Sequence, residues 1–331
     1  MSRPPARHGR APRVAVLLLA LSPAAGGAVV VKDNLYGVKV LDAKEAWTVG
    51  NFGSIYHTAD GGRTWEARDS GTRAPLFGVD FSDAQRGWAV GKSGLVLRTT
   101  DSGRTWKPQK SPIPPDKHLF NVTALSATSA WAVGDWGAIA RTRDGGDTWE
   151  DRSLEQDTVL YDVRFADPEH GFIAGEFGTV LATTDGGTTW TKQETGTEKT
   201  LFGVSFRTPQ RGWVVGLDGL ILRTRDGGAT WEVQRGVARS ESLEELGFLD
   251  ALKNPGLYAV AVVGQYGVIA GDTGTLLVSS DGGETWSERP LPEKDRLRWM
   301  RAVSLVPGTH GLAVGAGGFI VPIAGDQIGT P

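Results

Sequence analysis

The sequence predicts an all-β, seven-bladed β-propeller built of four-stranded antiparallel blades. Three observations carry this reading. The octamer Thr-x-Asp-x-Gly-x-Thr-Trp, or its Ser variant, occurs six times, with its acids at Asp60, Asp101, Asp144, Asp185, Asp226 and Asp281 and its indoles at Trp65, Trp106, Trp149, Trp190, Trp231 and Trp286. A Gly-x-x-Gly turn occurs seven times, at Gly50/Gly53, Gly91/Gly94, Gly134/Gly137, Gly175/Gly178, Gly216/Gly219, Gly271/Gly274 and Gly315/Gly318. Strand-like starts open the units at Leu35-Tyr36, Leu119-Phe120, Leu160-Tyr161, Leu201-Phe202, Leu257-Tyr258 and Met300-Arg301. A fixed period of about forty residues marks one supersecondary unit copied around a ring, and four short strands per unit is a propeller blade.

The first 28 residues stand apart. Arg3, Arg7, Arg10 and Arg13 precede the apolar run Val14–Leu21, which gives way to small residues from Ser22 to Ala28. That order is a secretory signal peptide, and the run is too short to span a bilayer. There is no Arg-Arg pair and no Cys, so neither twin-arginine export nor lipid anchoring is indicated. Residues 29–331 form the expected single propeller, exported to the periplasm or beyond the cell, with no membrane span once the signal is removed. The mature part holds 31 basic and 38 acidic residues, a balance that excludes the concentrated positive charge nucleic acid requires. The lack of cysteine excludes disulfides, thiol nucleophiles, zinc thiolates and covalent haem attachment.

One unit illustrates the strand grammar. Leu76–Phe81 alternates like a strand, Gly87–Val90 is a second, Leu95–Thr99 a third and Thr105–Gln109 a fourth, with turns between them. The last unit, Met300–Asp326, has three strand signals and no octamer, while Val29-Val30-Val31 is a strand signal with no blade of its own. These residues are therefore expected to close the ring as the fourth strand of blade seven, which would remove exposed sheet edges. The octamer spacing widens between Asp226 and Asp281. The insertion at about 236–256 carries Ser240-Glu241-Ser242, then Leu243, Leu246, Leu249 and Leu252, and stops at Asn254-Pro255-Gly256. It reads as a short amphipathic helix that either meets a partner or packs on the rim.

The octamer reads as architecture. Its Asp accepts backbone N–H bonds two residues on, its Gly permits positive φ, its hydroxyls bond locally, and its Trp buries a large face between blades with the N–H near the wet rim. One catalytic residue is not needed six times around a ring. These are Asp-boxes, or bacterial neuraminidase repeats. With Gly-Trp-x-Val-Gly and Leu-[Phe/Tyr]-x-Val in each unit, clearest in Leu76–Trp106 and Leu201–Trp231, the chain resembles the photosystem II stability/assembly factor family. The resemblance covers residues 29–325. It implies a seven-bladed propeller of the thylakoid lumen or bacterial periplasm that acts without catalysis, binding a protein partner to assist a membrane or envelope complex.

The search for chemistry returns little. A sialidase needs an arginine triad, a Tyr nucleophile with a Glu partner and an Asp acid. Yet Tyr36, Tyr161 and Tyr258 recur at an inner-strand position where Phe substitutes, and no Arg-Ile-Pro segment occurs. A glycan-binding or sialidase-like propeller is therefore the alternative reading. Gly91-Lys92-Ser93 imitates a phosphate loop, but Arg86 stands where its first Gly should be and a strand follows. His8, His57, His118, His170 and His310 show no metal-ligand spacing. No catalytic residue, metal or cofactor is expected, and the chain is read as a monomer.

Binding is expected on the Gly-x-x-Gly tips, opposite the octamers. Phe52, Trp136 and Phe177 are aromatics in turn positions, beside Asp135, Glu176, Asp218 and Asp272. Aromatics with charges at a rim suit a protein-binding face, unless they fold onto their own blades. Two further sets of charges recur by position: Arg98, Arg141 and Arg223, adjoined by Arg143 and Arg225, and Lys39, Asp80 and Arg164 on the inner strands.

Overall fold

A computed structural model describes residues 27–236, 254–308, 310–324 and 327–328. The expected signal peptide, apart from its last two residues, and the expected helical insertion, apart from its ends, lie outside the described residues. The rest forms seven four-stranded antiparallel sheets. The innermost strands are Leu35–Val40, Leu76–Phe81, Leu119–Ala124, Leu160–Phe165, Leu201–Thr208, Leu257–Val263 and Met300–Val306. Within each sheet the strands run outward in chain order, as consecutive hairpins do. No α-helix occurs among the described residues; the irregular pieces are short 3-10 turns.

Stability resides between the blades. The apolar core divides into seven clusters, each spanning two neighbouring blades and so joining them around the ring. Trp47, Trp88, Trp131 and Trp213, on the second strands of blades one, two, three and five, are almost wholly buried. Each of these indoles lies against an octamer glycine of the next blade: Gly103, Gly146, Gly187 and Gly283 respectively. At roughly 1.5–3 kcal/mol per large buried apolar side chain, these seams carry much of the fold. Polar staples add to them. Val40 N donates to Ser304 Oγ at 3.0 Å, Ala124 N to Asp80 Oδ2 at 2.8 Å and Val262 N to Ser205 Oγ at 3.1 Å, each joining the inner strands of adjacent blades.

Ring closure differs from the expectation. Val29–Val31 is not a strand of blade seven. The fourth strand there is Gln327–Ile328, paired back on the third through Ile323↔Ile328 and Ala324↔Gln327. A two-residue return closes a far smaller loop than a strand drawn from the other end of the chain. The N-terminal segment instead lies over the seam between blades one and seven. Val29 N donates to Trp65 O at 2.8 Å, Val31 packs against the cluster of Leu35, Trp65 and Leu312, and Gly318 N donates to Asp33 O at 2.7 Å. The ring is thus closed by packing blade against blade.

The octamer hydrogen bonds also depart in detail. Asp60 Oδ1 accepts from the amides of Arg63 at 3.0 Å and Thr64 at 2.9 Å, three and four residues on. The position two residues on goes unused because Thr58 Oγ1, not the carboxylate, accepts from Gly62 N at 2.9 Å. The indole N–H groups are mostly buried rather than wet. Trp65 Nε1 donates to Gly62 O and Trp286 Nε1 to Gln234 Oε1, but those of Trp106, Trp149, Trp190 and Trp231 have no partner among the described residues.

Candidate functional site: the tip face and the channel mouth

All seven inner strands share one irregularity. Their register slips between the first and third residues, at Leu35/Gly37, Leu76/Gly78, Leu160/Asp162, Leu201/Gly203, Leu257/Ala259 and Met300/Ala302, and Phe120 is skipped in the same way. The second residue of each strand is therefore a bulge, unpaired and re-aimed. In order these are Tyr36, Phe77, Phe120, Tyr161, Phe202, Tyr258 and Arg301. They line a cavity of about 380 Å³ at the mouth of the central channel. Neighbouring ring centroids stand 5.5 Å (Tyr36–Phe77), 5.6 Å (Phe77–Phe120), 5.7 Å (Phe120–Tyr161), 5.0 Å (Tyr161–Phe202) and 5.3 Å (Phe202–Tyr258) apart. Arg301 closes the circle, its guanidinium 4.4 Å from the Tyr258 ring centroid and 5.3 Å from that of Phe202. The Tyr/Phe alternation at this inner-strand position is thus a ring of side chains facing the cavity. The circle of residues it forms, and the Arg in its seventh place, were visible in the list of strand starts.

The Gly-x-x-Gly tips stand on this same face, because their first amides bond the residue before each inner strand, as Asn51 N does to Asn34 O at 3.0 Å and Asp135 N to His118 O at 3.0 Å. Their two central positions diverge. The second adopts positive φ in every tip, from 47° at Thr273 to 61° at Ser93, which throws that side chain outward. Phe52, Trp136 and Phe177 are 72%, 50% and 63% exposed. The expected aromatics are thus brought to the surface rather than folded down. Leu217 and Leu297 are exposed on the same face.

At Asn51, Asp135, Glu176 and Asp272 the first position turns inward, whereas at Lys92 and Leu217 it is exposed. Asp135 Oδ2 accepts from His118 N at 2.9 Å and Glu176 Oε2 from Val159 N at 3.2 Å. The tyrosines of the mouth are held by the same residues: Tyr36 Oη donates to Asn51 Oδ1 at 2.9 Å, Tyr161 Oη to Glu176 Oε1 at 3.5 Å and Tyr258 Oη to Asp272 Oδ2 at 3.4 Å. Burial first, then the Glu176 charge, pushes the Tyr161 phenol up to about 12, so it remains a donor at neutral pH. Asp218, in a second position, pairs instead with Lys199 Nζ at 2.8 Å. The acids expected to surround the aromatics on the surface are largely occupied in bracing the mouth.

Most of the remaining charges are paired within the ring, though Arg141 Nε and Nη1 are buried without a hydrogen-bond acceptor among the described residues. Lys39 Nζ meets the buried Asp80 at 2.6 Å, and Arg164 Nε lies 3.1 Å from the buried Asp162, whose carboxyl is raised by desolvation. Arg98 pairs with Asp147, and Arg223 and Arg225 both reach Glu284 of the next blade. Arg141 covers the Trp131 ring at 4.8 Å. The octamer acids Asp60, Asp101, Asp144, Asp185, Asp226 and Asp281 each bond two hydroxyls in their own turn. No group of three or more His, Cys, Asp or Glu placed to hold a metal occurs among the described residues. None of their helices is long and apolar enough to cross a membrane.

Comparison with known proteins agrees with this architecture. Residues 27–151, 147–200 and 190–297 match the sequence profile of the family described as photosynthesis system II assembly factor YCF48. No match is found among curated proteins. Among solved structures, a YCF48 bound to D1 peptide superposes with a TM-score of 0.71 at 23% identity, over 90% of this chain and 95% of the other. The YCF48 from Cyanidioschyzon merolae gives 0.70 at 21% identity, over 90% and 98%. A GH74 xyloglucanase from Xanthomonas campestris gives 0.68 at 16% identity, over 89% of this chain and 53% of the enzyme.

Proposed function

The chain belongs to the photosynthesis system II assembly factor YCF48 family, and from that membership we propose that it is a non-enzymatic, exported propeller that binds a protein partner through its tip face. Its task is to assist assembly or stability of a membrane or envelope complex, lumenal in a photosynthetic host and periplasmic otherwise, and it acts as a monomer. The observation that carries this reading is the outward display of Phe52, Trp136 and Phe177 on one face. Surface aromatics lose solvent and little conformational entropy on docking, which makes them frequent anchors of protein interfaces. A relative of like fold was solved with a D1 peptide, which supports a polypeptide as the chemistry of the partner.

The test is capture from the detergent-solubilised envelope by the full chain and by a Trp136→Ala/Phe177→Ala variant. The reading expects partner recovery to fall at least about tenfold while the melting temperature holds, since truncating exposed side chains changes stability little. Loss of both together would make the aromatics part of the core. Turnover of fluorogenic sialosides, or specific retention on a glycan array, would replace this reading with the glycan one.

A further inference from the structure

Six of the seven bulged positions at the channel mouth carry an aromatic ring, and the seventh carries Arg301. Among the described residues its guanidinium meets the faces of Tyr258 and Phe202 but has no hydrogen-bond acceptor and no ion-pair partner. The other arginine of the cavity, Arg164, has Asp162 beside it. Burial pulls the Arg301 guanidinium below its usual range, with the nearby tyrosines and Asp272 only partly opposing that. A partly desolvated cation without an acceptor is held at a cost that an arriving anion relieves.

The space in front of it has a definite chemistry. About 380 Å³ is bounded chiefly by Tyr36, Phe77, Phe120, Tyr161, Phe202 and Tyr258, with Asn121, Asp162, Arg164 and Arg301 as its other polar side chains, a size and largely aromatic lining typical of a small-ligand pocket with a few orienting polar groups. The phenol hydroxyls are already committed to Asn51, Glu176 and Asp272, so the ring faces rather than the hydroxyls are offered. Those two carboxylates are tied to phenols at the rim, and neither forms an ion pair with Arg301. We propose that the channel mouth binds a monocarboxylate bearing a flat apolar body, with the carboxylate on Arg301 and the body among the rings. The same chemistry arises from a free aryl carboxylate or from the C-terminal residue of a polypeptide, and the site is defined independently of which protein docks on the tip face.

The test is calorimetric titration of the full chain with 3-phenylpropionate and its uncharged isostere 3-phenylpropanamide, alongside a tetrapeptide ending in Phe as the free acid and as the amide. Each acid that fits is expected to bind at least about tenfold more tightly than its amide, as a charge-assisted bidentate contact implies. Arg301→Phe completes the ring with the residue type of the other blades, so it is expected to keep the melting temperature and abolish the preference for acid. Binding by phenylpropionate alone assigns a free small molecule, and tighter binding by the peptide acid assigns a chain terminus. Equal binding of acids and amides, an acid preference that survives Arg301→Phe, or no binding of any of the four at about 10 mM, overturns the proposal.

Discussion

The indole N–H of Trp213 in blade five donates to the carbonyl of Gly283 in blade six at 2.9 Å, across the seam between them. A Cβ on Gly283 would stand 2.5 Å from Cζ2 of that indole, and its φ is 84°. The octamer glycine is therefore shaped by a residue 70 positions earlier as much as by its own turn. Gly283→Ala is expected to cost about 2–4 kcal/mol, from overpacking together with left-handed backbone strain. Urea denaturation checks this; a loss below about 1 kcal/mol would mean that the seam yields easily.

The octamer carboxylates give the protein a specific acid response. The Asp144 carboxyl is held down to about 2 first by the Thr148 hydroxyl and then by the Thr148 amide, and Asp60 likewise by Thr64. A carboxylate whose folded value is depressed adds stability above its unfolded value near 3.8, and that contribution fades as pH falls toward 2. Asp144→Asn is expected to lower the melting temperature at pH 7 by on the order of 2 °C. The gap should close toward pH 2, where the wild-type group is protonated too. Melting curves between pH 2 and 7 decide it, and a constant gap would exclude the ionised carboxylate as the cause.

Tip geometry makes a further demand. Thr273 is β-branched yet sits at φ 47°, in a region that such residues avoid. Thr273→Gly is expected to raise stability by about 0.5 kcal/mol, strain relief exceeding the extra chain entropy of glycine. A drop in the denaturation midpoint would contradict this.

Much of the architecture was legible because the chain repeats it. A strand boundary read once in Leu76–Phe81 applies to every blade, and the first Gly of the Gly-x-x-Gly turn stands ten residues before the octamer Asp in six units, which fixes the third strand. Ring closure was misread because Gln327–Ile328 is too short to alternate, whereas Val29–Val31 is strongly β-forming without being paired. The mouth was missed for a different reason: a bulge leaves no mark on hydrophobic periodicity, so nothing in the strand pattern turns Tyr36 and its counterparts toward the channel. The basic residues were equally opaque. Glu284, which neutralises Arg223 and Arg225, comes from the following blade, a proximity only the fold supplies. Nor could the pattern decide whether Phe52, Trp136 and Phe177 face outward; that follows from the positive φ of the second tip residue.

The central claim is that one face of the ring meets the partner and the opposite face does not. Photo-crosslinking in the cell tests it most directly, with the reactive side chain placed at position 136 on the tip face or at position 63 in an octamer turn. The account predicts a discrete crosslinked species from position 136, identified by mass spectrometry, and none above background from position 63. The same adduct formed equally from both positions, or from position 63 alone, would contradict it.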